Sequence, residues 1–385
     1  MRVLLVHNFY QRPGGEDEVF YAESKLLQSH GHEVRRLTVH NSSLEGKVGL
    51  RLAVTTVWSS SAYRRMRSIL KEFSPDVVHV HNTFPLISPA VYYASQEEGV
   101  PVVQTLHNFR LTCVNGLLFR SGRPCETCLG QLVPWSGVVH ACYRHSRVAS
   151  AAVAAMLGYH KLRGTYRNMV DAYIALTDFS RNLLIRAGLP PELVHVKPNF
   201  VIDDPGVGRG SGMYALFVGR LSEEKGIRTL LAAWRELGSR VPLMIIGDGP
   251  LASLVESEAR HARIDWLGQQ SREEVYKRMK DASLLIVPSE SYENFPMTIA
   301  EAFATGLPVV GTNHGGISAI VDHGRNGMLF GRGDHQDLAQ TVSRILSHPL
   351  ELVRMRKEAR RDYESKYNAS ANYNRLISVY ESVAR

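Results

Sequence analysis

Two glutamates eight residues apart, Glu293 and Glu301, lie in ENFPMTIAEAFATG, between an apolar run ending in Val287-Pro288-Ser289 and a second run, PVVGT. The segment passes from loop to helix after Pro296, so the backbone N–H groups around Asn294, Phe295 and Met297 stand at a helix N-terminus, where they can meet hydroxyl or phosphate oxygens. Glu301 falls one to two turns into that helix. A carboxylate accepts hydrogen bonds from two adjacent hydroxyls, which suits Glu293 to a hexose and Glu301 to a ribose. Earlier in the same half, GRLSEEKG places Arg220 and Lys225 around a loop that leads into a helix, a pair of cations able to neutralise a pyrophosphate. Gly247-Asp248-Gly249-Pro250 forms a tight turn whose backbone can approach a ligand. Two glutamates at this spacing would by themselves be a solvated helix face; the cation loop and the glycine turn in the same half make them a site.

The elements that must hold these residues read as two successive sets of β-rich runs alternating with amphipathic stretches, the pattern of a parallel sheet covered by helices. RVLLVH, HEVRRLTV, DVVHVH, PVVQTLH and DAYIAL are strands of the first set, with helices over Val19 to His30, Leu50 to Phe73 and Ser88 to Glu98. YALFVG, PLMIIG, IDWLG, LLIVP and PVVGT are strands of the second. The class is therefore α/β, with two Rossmann-like doubly wound domains: 1–197, carrying an insert at 108–145, and 213–370. A Gly/Pro linker at 198–212 would act as a hinge, and the last helix, 371–385, would pack back on the first domain. Two such domains expose the C-terminal edges of their sheets to a cleft, where α/β proteins bind ligands.

Length and composition agree with two ordinary cores: 385 residues, 44% hydrophobic and 21% charged, leave no room for a disordered or collagenous reading. The four-residue apolar run Val3 to Val6 is too short for a signal peptide, and no run approaches the ~20 apolar residues of a membrane span, so the expected location is the cytoplasm. Residues 1–200 hold 22 Lys and Arg against 14 Asp and Glu, and residues 201–385 hold 23 of each, so the net charge of +8 belongs to the first half. Either that half faces something anionic, such as a membrane surface or a lipid-linked phosphate, or it is simply basic outside.

With these motifs in this order, the sequence resembles the retaining glycosyltransferases of family four, which have the GT-B fold. The resemblance runs from the first strand to the last helix. It implies that Glu293 and Glu301 are the family's Glu-x7-Glu pair for donor sugar and nucleotide ribose, and that Arg220 and Lys225 hold the diphosphate. It implies also that Pro13-Gly14-Gly15 is the family's N-terminal glycine loop and that His107, in TLHN, is its active-site histidine. The expected reaction moves a hexose from a nucleotide-diphosphate sugar to a glycan or lipid-linked acceptor, with retention and with no cofactor needed for catalysis. Cations and helix N-termini would stabilise the leaving diphosphate.

Cys113, Cys125, Cys128 and Cys142 all fall inside the insert as C-x11-C-x2-C-x13-C. In a cytoplasmic protein that spacing reads as a structural four-cysteine zinc site, with His140 and His145 as spare ligands; unpaired packing cysteines and redox chemistry are the alternatives. From Leu50 to Phe73, apolar residues at helical spacing alternate with Arg51, Arg64, Arg65, Arg67 and Lys71. Such a helix lies on a membrane surface if Trp58 and Tyr63 face outward, or packs on its own sheet with a basic exterior. Ser146 to Asn168, Ala-rich and then basic, would line the acceptor side. Peripheral attachment to the inner face of a membrane follows from the first reading of these helices. Nucleic acid is not an expected partner, because Arg110, Arg120, Arg123 and Arg144 are scattered and form no dense basic helix. A sugar phosphorylase or a nucleotide-sugar epimerase would use the same fold, and product analysis separates them from a transferase.

Overall fold

The computed structural model describes residues 1–11, 14–44, 49–259 and 263–384. The chain forms two compact units: Met1–Arg120 with Cys125–Pro198 and Asn372–Arg385, and Asn199–Ala371 with Ser121–Pro124. Each holds a six-stranded sheet in which the paired neighbours run parallel.

The first sheet comprises β1 (Arg2–Phe9), β2 (Glu33–His40), β3 (Val77–Asn82), β4 (Val102–Thr105), β7 (Ala172–Ala175) and β8 (Val194–Val196), in the order β2-β1-β3-β4-β7-β8. A separate ribbon joins β5 (Phe119–Arg120) and β6 (Arg123–Pro124). Strand alternation divides β1 between two cores. Leu4 and Val6 pack with Met66, Leu70 and Phe73 on one face, and Val3 and Leu5 with Phe20, Leu27, Leu376 and Tyr380 on the other. The C-terminal helix Ala369–Val383 thus supplies part of the first unit's core. β3, VVHVHN, is buried at every position, as a central strand covered on both faces must be.

The second sheet comprises β9 (Ala215–Val218), β10 (Leu243–Ile246), β11 (Ile264–Trp266), β12 (Leu284–Val287), β13 (Val309–Thr312) and β14 (Gly327–Phe330), in the order β11-β10-β9-β12-β13-β14. Its core gathers Phe217, Ile245 and Ile286 with Trp234 and Leu230 of the helix Ile227–Leu237. In each sheet the strand order reverses beside the first strand, between β1 and β3 and between β9 and β12. Loops at that point diverge and leave a crevice at the strands' C-terminal ends.

Three local expectations change. The edge strands β8 and β14 were not anticipated, because VHV and GMLF are too short to show a period. The helix expected over Leu50 to Phe73 is two, Leu50–Val57 and Ser60–Phe73. Trp58 takes an extended conformation, and Ser59 caps the second helix by accepting from the Ala62 amide. Met66, Leu70 and Phe73 face the core, Trp58 lies 5.2 Å from the Tyr93 ring, and the Tyr63 hydroxyl donates to Glu97, which is the packing alternative for this segment. Finally, the alternating glycines at 206–212, expected as part of an interdomain hinge, form a strap bound to the second unit. The amides of Gly208, Gly210 and Gly212 donate to the carbonyls of Thr305, Lys280 and Asp281. A Cβ on Gly208 would stand 2.1 Å from the Lys280 carbonyl oxygen, so closeness to backbone is what requires glycine there.

Leu376 is fully buried among β1 side chains. Leu376→Ala should cost about 2–5 kcal/mol in urea unfolding. A loss below about 1 kcal/mol would mean that the last helix is not part of the core.

Candidate functional site

In the second unit, four loops at the C-terminal ends of β9, β10, β12 and β13 are locked to one another through their backbones. After β9 the chain runs through Arg220, a single 3-10 turn at Glu223–Lys225, and Gly226 into the helix Ile227–Leu237. Gly226 has φ 71° and a Cβ there would lie 1.9 Å from the Pro288 carbonyl oxygen. The amides of Glu290 and Ser291 donate to the Glu224 carbonyl, so the loop after β12 is tied to the loop after β9. Gly247, with φ 139°, sits as tightly against Gly219, and the Leu221 amide donates to the Asp248 carbonyl.

These ties bring Lys225 and Glu293 together. Lys225 Nζ donates to Glu293 Oε1 at 2.7 Å, with Glu293 mostly buried. Three residues on, Pro296 caps the helix Met297–Ala304, of which Glu301 is the fifth residue. Glu301 is buried, and the nearest guanidinium, Arg272, stands 3.6 Å away. Asn294 is buried beside Glu293, whereas the Phe295 ring turns inward against Tyr367 at 5.5 Å and serves packing. Arg220 is exposed at the mouth of its loop.

Gly315 and Gly316, which follow β13, were missed by sequence reasoning. The Gly316 amide donates to the Glu293 carbonyl, and a Cβ on Gly316 would come within 2.3 Å of that oxygen. His314 stacks on Tyr292 at 4.3 Å. The Gly315-Gly316 pair, separated from PVVGT by Asn313 and His314, was the available signal.

In the first unit, Gly14 caps the helix Gly15–Ser29, its amide donating to Asp17 Oδ2. Gly15 is the first helical residue, and Pro13 lies outside the described residues. His107 follows β4. Its Nε2 shares a hydrogen bond of 3.0 Å with Nδ1 of His81, the second histidine of the β3 sequence VVHVHN. Behind them lies a buried ion pair, Lys197 Nζ to Glu23 Oε1 at 2.5 Å. His79 and His81 reach the other Glu23 oxygen at 3.7 and 3.5 Å. Burial first, and then the neighbouring His7 and Lys197, hold the His107 pKa well below the ordinary histidine value. At neutral pH His107 is therefore an uncharged hydrogen-bonding group.

Glu23, His79 and His81 bring three ligand-type atoms within 4.8 Å of one another. The carboxylate already carries the Lys197 ammonium and His79 is occupied by Tyr380 and Thr105, while Glu23 Oε2 and His81 Nε2 are buried with no hydrogen-bond partner. The cysteines are free thiols, Cys113 and Cys128 buried, Cys125 and Cys142 partly so.

Glu16, also unforeseen, lies beside His107's neighbour. Tyr10 Oη and Asn108 Nδ2 both donate to its Oε2, at 3.2 and 3.3 Å, while Oε1 is buried with no partner. Burial outweighs those two hydrogen bonds and pushes the carboxyl up to about 8.

Two family models match the chain: "Glycosyl transferases group 1" over residues 208–362 and "Glycosyltransferase Family 4" over residues 13–204. The chain belongs to the family-four glycosyltransferases. Among this family's curated members it is 28% identical over 211 residues to the amylovoran biosynthesis glycosyltransferase AmsK of Erwinia amylovora, covering 52% of this chain and 50% of that protein. The chain spans about half the length of that and the next curated relatives it matches. A longer match, 22% identical and covering 97% of this chain and 94% of the other, is with the N-acetyl-alpha-D-glucosaminyl L-malate synthase of Bacillus anthracis. Anabaena HepE, solved in complex with UDP, superposes with a TM-score of 0.69 at 18% identity over 99% of this chain and 100% of that one. The fold of this family-four chain is accordingly GT-B.

The raised Glu16 pKa has a definite sign in stability. The folded protein keeps this proton up to about pH 8, while the unfolded chain releases it near the ordinary value of 4.5. Glu16 therefore makes the folded state progressively less stable as pH rises through that interval. Glu16→Gln imitates the protonated form, so its Tm relative to the wild type should climb between about pH 5 and pH 8. A difference that stays flat with pH would show that Glu16 is ionised throughout.

Proposed function

We propose that this chain is a retaining hexosyltransferase that uses a nucleotide-diphosphate sugar and acts in glycan synthesis. The observation that carries this reading is the Lys225–Glu293 contact, set just before a helix N-terminus with Glu301 buried inside that helix. Lys225 and Arg220 take the diphosphate, Glu293 the donor hexose and Glu301 the ribose. An acceptor hydroxyl attacks the anomeric carbon from the face the diphosphate leaves, and its proton passes to a leaving phosphate oxygen. The two cations and the helix N–H groups take up the charge that develops, so the reaction calls on no metal. Neutral His107, held by His81, orients the reacting sugar through a hydrogen bond. HepE binds UDP, which makes UDP-sugars the first donors to test here.

On purified protein, one nucleotide diphosphate among UDP, GDP, ADP and dTDP should raise Tm, and Arg220→Ala should abolish that rise. Lys225→Ala and Glu293→Ala should each lower kcat/KM at least ~100-fold with an intact fold, because each removes a charged contact to the leaving group or donor. Near-normal turnover in either variant would remove that residue from the donor site. Release of free or altered donor without an acceptor would point to the phosphorylase or epimerase alternative.

The acceptor reading is a lipid-linked or polysaccharide intermediate at an anionic membrane surface. It is supported by the helix Arg147–Leu162, whose outer face carries Val148, Ala152, Ala155, Tyr159 and Leu162, with Val148 82% and Leu162 69% exposed. Exposed Arg144, Arg147, Arg163 and Arg167 flank it, an apolar strip with basic ends that fits an anionic lipid interface. Among the described residues no helix is long and apolar enough to cross a membrane. The protein should float with vesicles containing anionic phospholipid, and the double variant Val148→Asp, Leu162→Asp should reduce the bound fraction at least ~10-fold. Equal flotation of both proteins would discard this surface.

A further inference from the structure

The cysteine insert has a small core. Val114, Val133, Val138, Cys142 and Tyr143 pack on Phe84 and on Val153 and Leu157 of the following helix, and much of the rest is held by turns. Five non-glycine residues between 118 and 145 adopt positive φ: Leu118 (49°), Ser121 (51°), Ala141 (49°), Arg144 (53°) and His145 (54°). Each is a costly backbone state that persists only where other interactions over-determine it.

The insert's three cysteine-bearing segments converge on Gly137. Its amide serves the Cys128 sulfur, and its carbonyl accepts from the Cys142 amide at 2.9 Å. A Cβ on Gly137 would lie 2.4 Å from Val114, the residue next to Cys113. Cys125 is joined to the Cys113 segment by its amide, which donates to the Leu118 carbonyl at 2.7 Å. Cys142's thiol is pushed up by burial and then by the nearby Cys113, Cys128 and Cys125, which puts all four sulfurs in one neighbourhood. No three of these sulfurs lie within 4.8 Å of one another, the spacing reached by Glu23, His79 and His81. Side-chain rotation would be needed to bring them into a single coordination sphere.

A second feature is independent of the spacing. Arg120 lies close enough to favour the thiolate forms of Cys128 and Cys142, and its Nη1 is buried with no hydrogen-bond partner. A buried guanidinium N–H left without an acceptor is costly, and its natural complement is an anion. A divalent ion held by four thiolates carries a net charge of −2 and presents sulfur acceptors, which is such a complement.

We propose that Cys113, Cys125, Cys128 and Cys142 bind one structural zinc ion, with Arg120 balancing the charge of the tetrathiolate cluster. The ion would pin the insert that follows His107 and Asn108, independently of whether the donor reading is correct. Zinc suits the site because it needs no redox partner and accepts four thiolates in a tetrahedral arrangement; binding releases the thiol protons to solvent.

The test uses the full chain, purified without chelator and under reducing conditions. Metal analysis should give about one zinc per chain, with the thiols unreactive to a disulfide reagent until zinc is stripped, when four react. Stripping should lower Tm, and titrating the stripped protein with Co2+ should produce the thiolate-to-cobalt absorption of a tetrahedral sulfur site. Cys128→Ser should lose the zinc. Arg120→Ala, which leaves the ligands untouched, should keep the site but weaken zinc by about 10–100-fold in a competition titration. Four freely reactive thiols in untreated protein with no cobalt band, or two disulfides found by mass spectrometry, would overturn the proposal, and unchanged zinc affinity in Arg120→Ala would overturn the role of Arg120.

Discussion

Carbonyl oxygens of Pro288, Gly219 and Glu293 occupy the space where side chains would otherwise begin on Gly226, Gly247 and Gly316, at 1.9, 1.9 and 2.3 Å. The second unit's candidate site depends on this exclusion. Side chains between these loops would push the C-terminal ends of β9, β10, β12 and β13 apart; glycine lets backbone meet backbone, and amide-to-carbonyl bonds fix the spacing. The 2.7 Å contact between Lys225 and Glu293, 68 residues apart, follows from that spacing. It is partly open to solvent on the lysine side, so its Coulomb energy is modest. Its value is positional: both groups are held ready at a helix N-terminus.

The first unit uses charge differently. Lys197 and Glu23 are fully buried, and such a pair recovers little more than the cost of removing two ions from water. What it does is fix the charge state of its surroundings. Burial first, and then the surrounding cationic or ionisable groups, Lys197 among them, hold His79 and His81 well below the ordinary histidine value, and neutral His81 shares its Nδ1 hydrogen bond with His107 Nε2. Glu16 meets the opposite outcome. It is buried without a cation in direct contact, and its proton stays.

Much of this was legible because it is written in local patterns. Ten of the twelve sheet strands stand out as β-branched runs, and Glu293, Glu301, Arg220 and Lys225 were visible as charges beside turn and helix-start signals. The break at Trp58 was signalled by Ser59, a cap residue that the continuing apolar period concealed. Other features were illegible for a stated reason. Gly206 to Gly212 alternate as a flexible linker would, and only the Lys280 carbonyl beside Gly208 shows that space, not mobility, demands them. Glu16 and Glu23 lie on one helix, but the groups they meet, Asn108, His81 and Lys197, come from other parts of the chain, and a network assembled by tertiary contact leaves no spacing to read.

The charge asymmetry between the two halves can now be divided. Lys197 is cancelled inside the first unit by Glu23, and on its surface Arg35, Arg67 and Arg186 are matched by Glu72, Glu98 and Glu126. Exposed Arg64, Arg65, Arg144, Arg147, Arg163 and Arg167 have no salt bridge among the described residues. An unpaired surface arginine adds little to folding, since water solvates it in both states. It does attract anions over about a Debye length, some 8 Å at physiological ionic strength. The excess positive charge therefore acts outward from the first unit, while the cations of the proposed donor site, Arg220 and Lys225, belong to a half whose charges balance. Recruitment of an anionic partner and the proposed stabilisation of a leaving diphosphate therefore fall to different residues: unpaired arginines on the first unit's surface for the one, and for the other a pair of cations of which Lys225 is already held by the mostly buried Glu293.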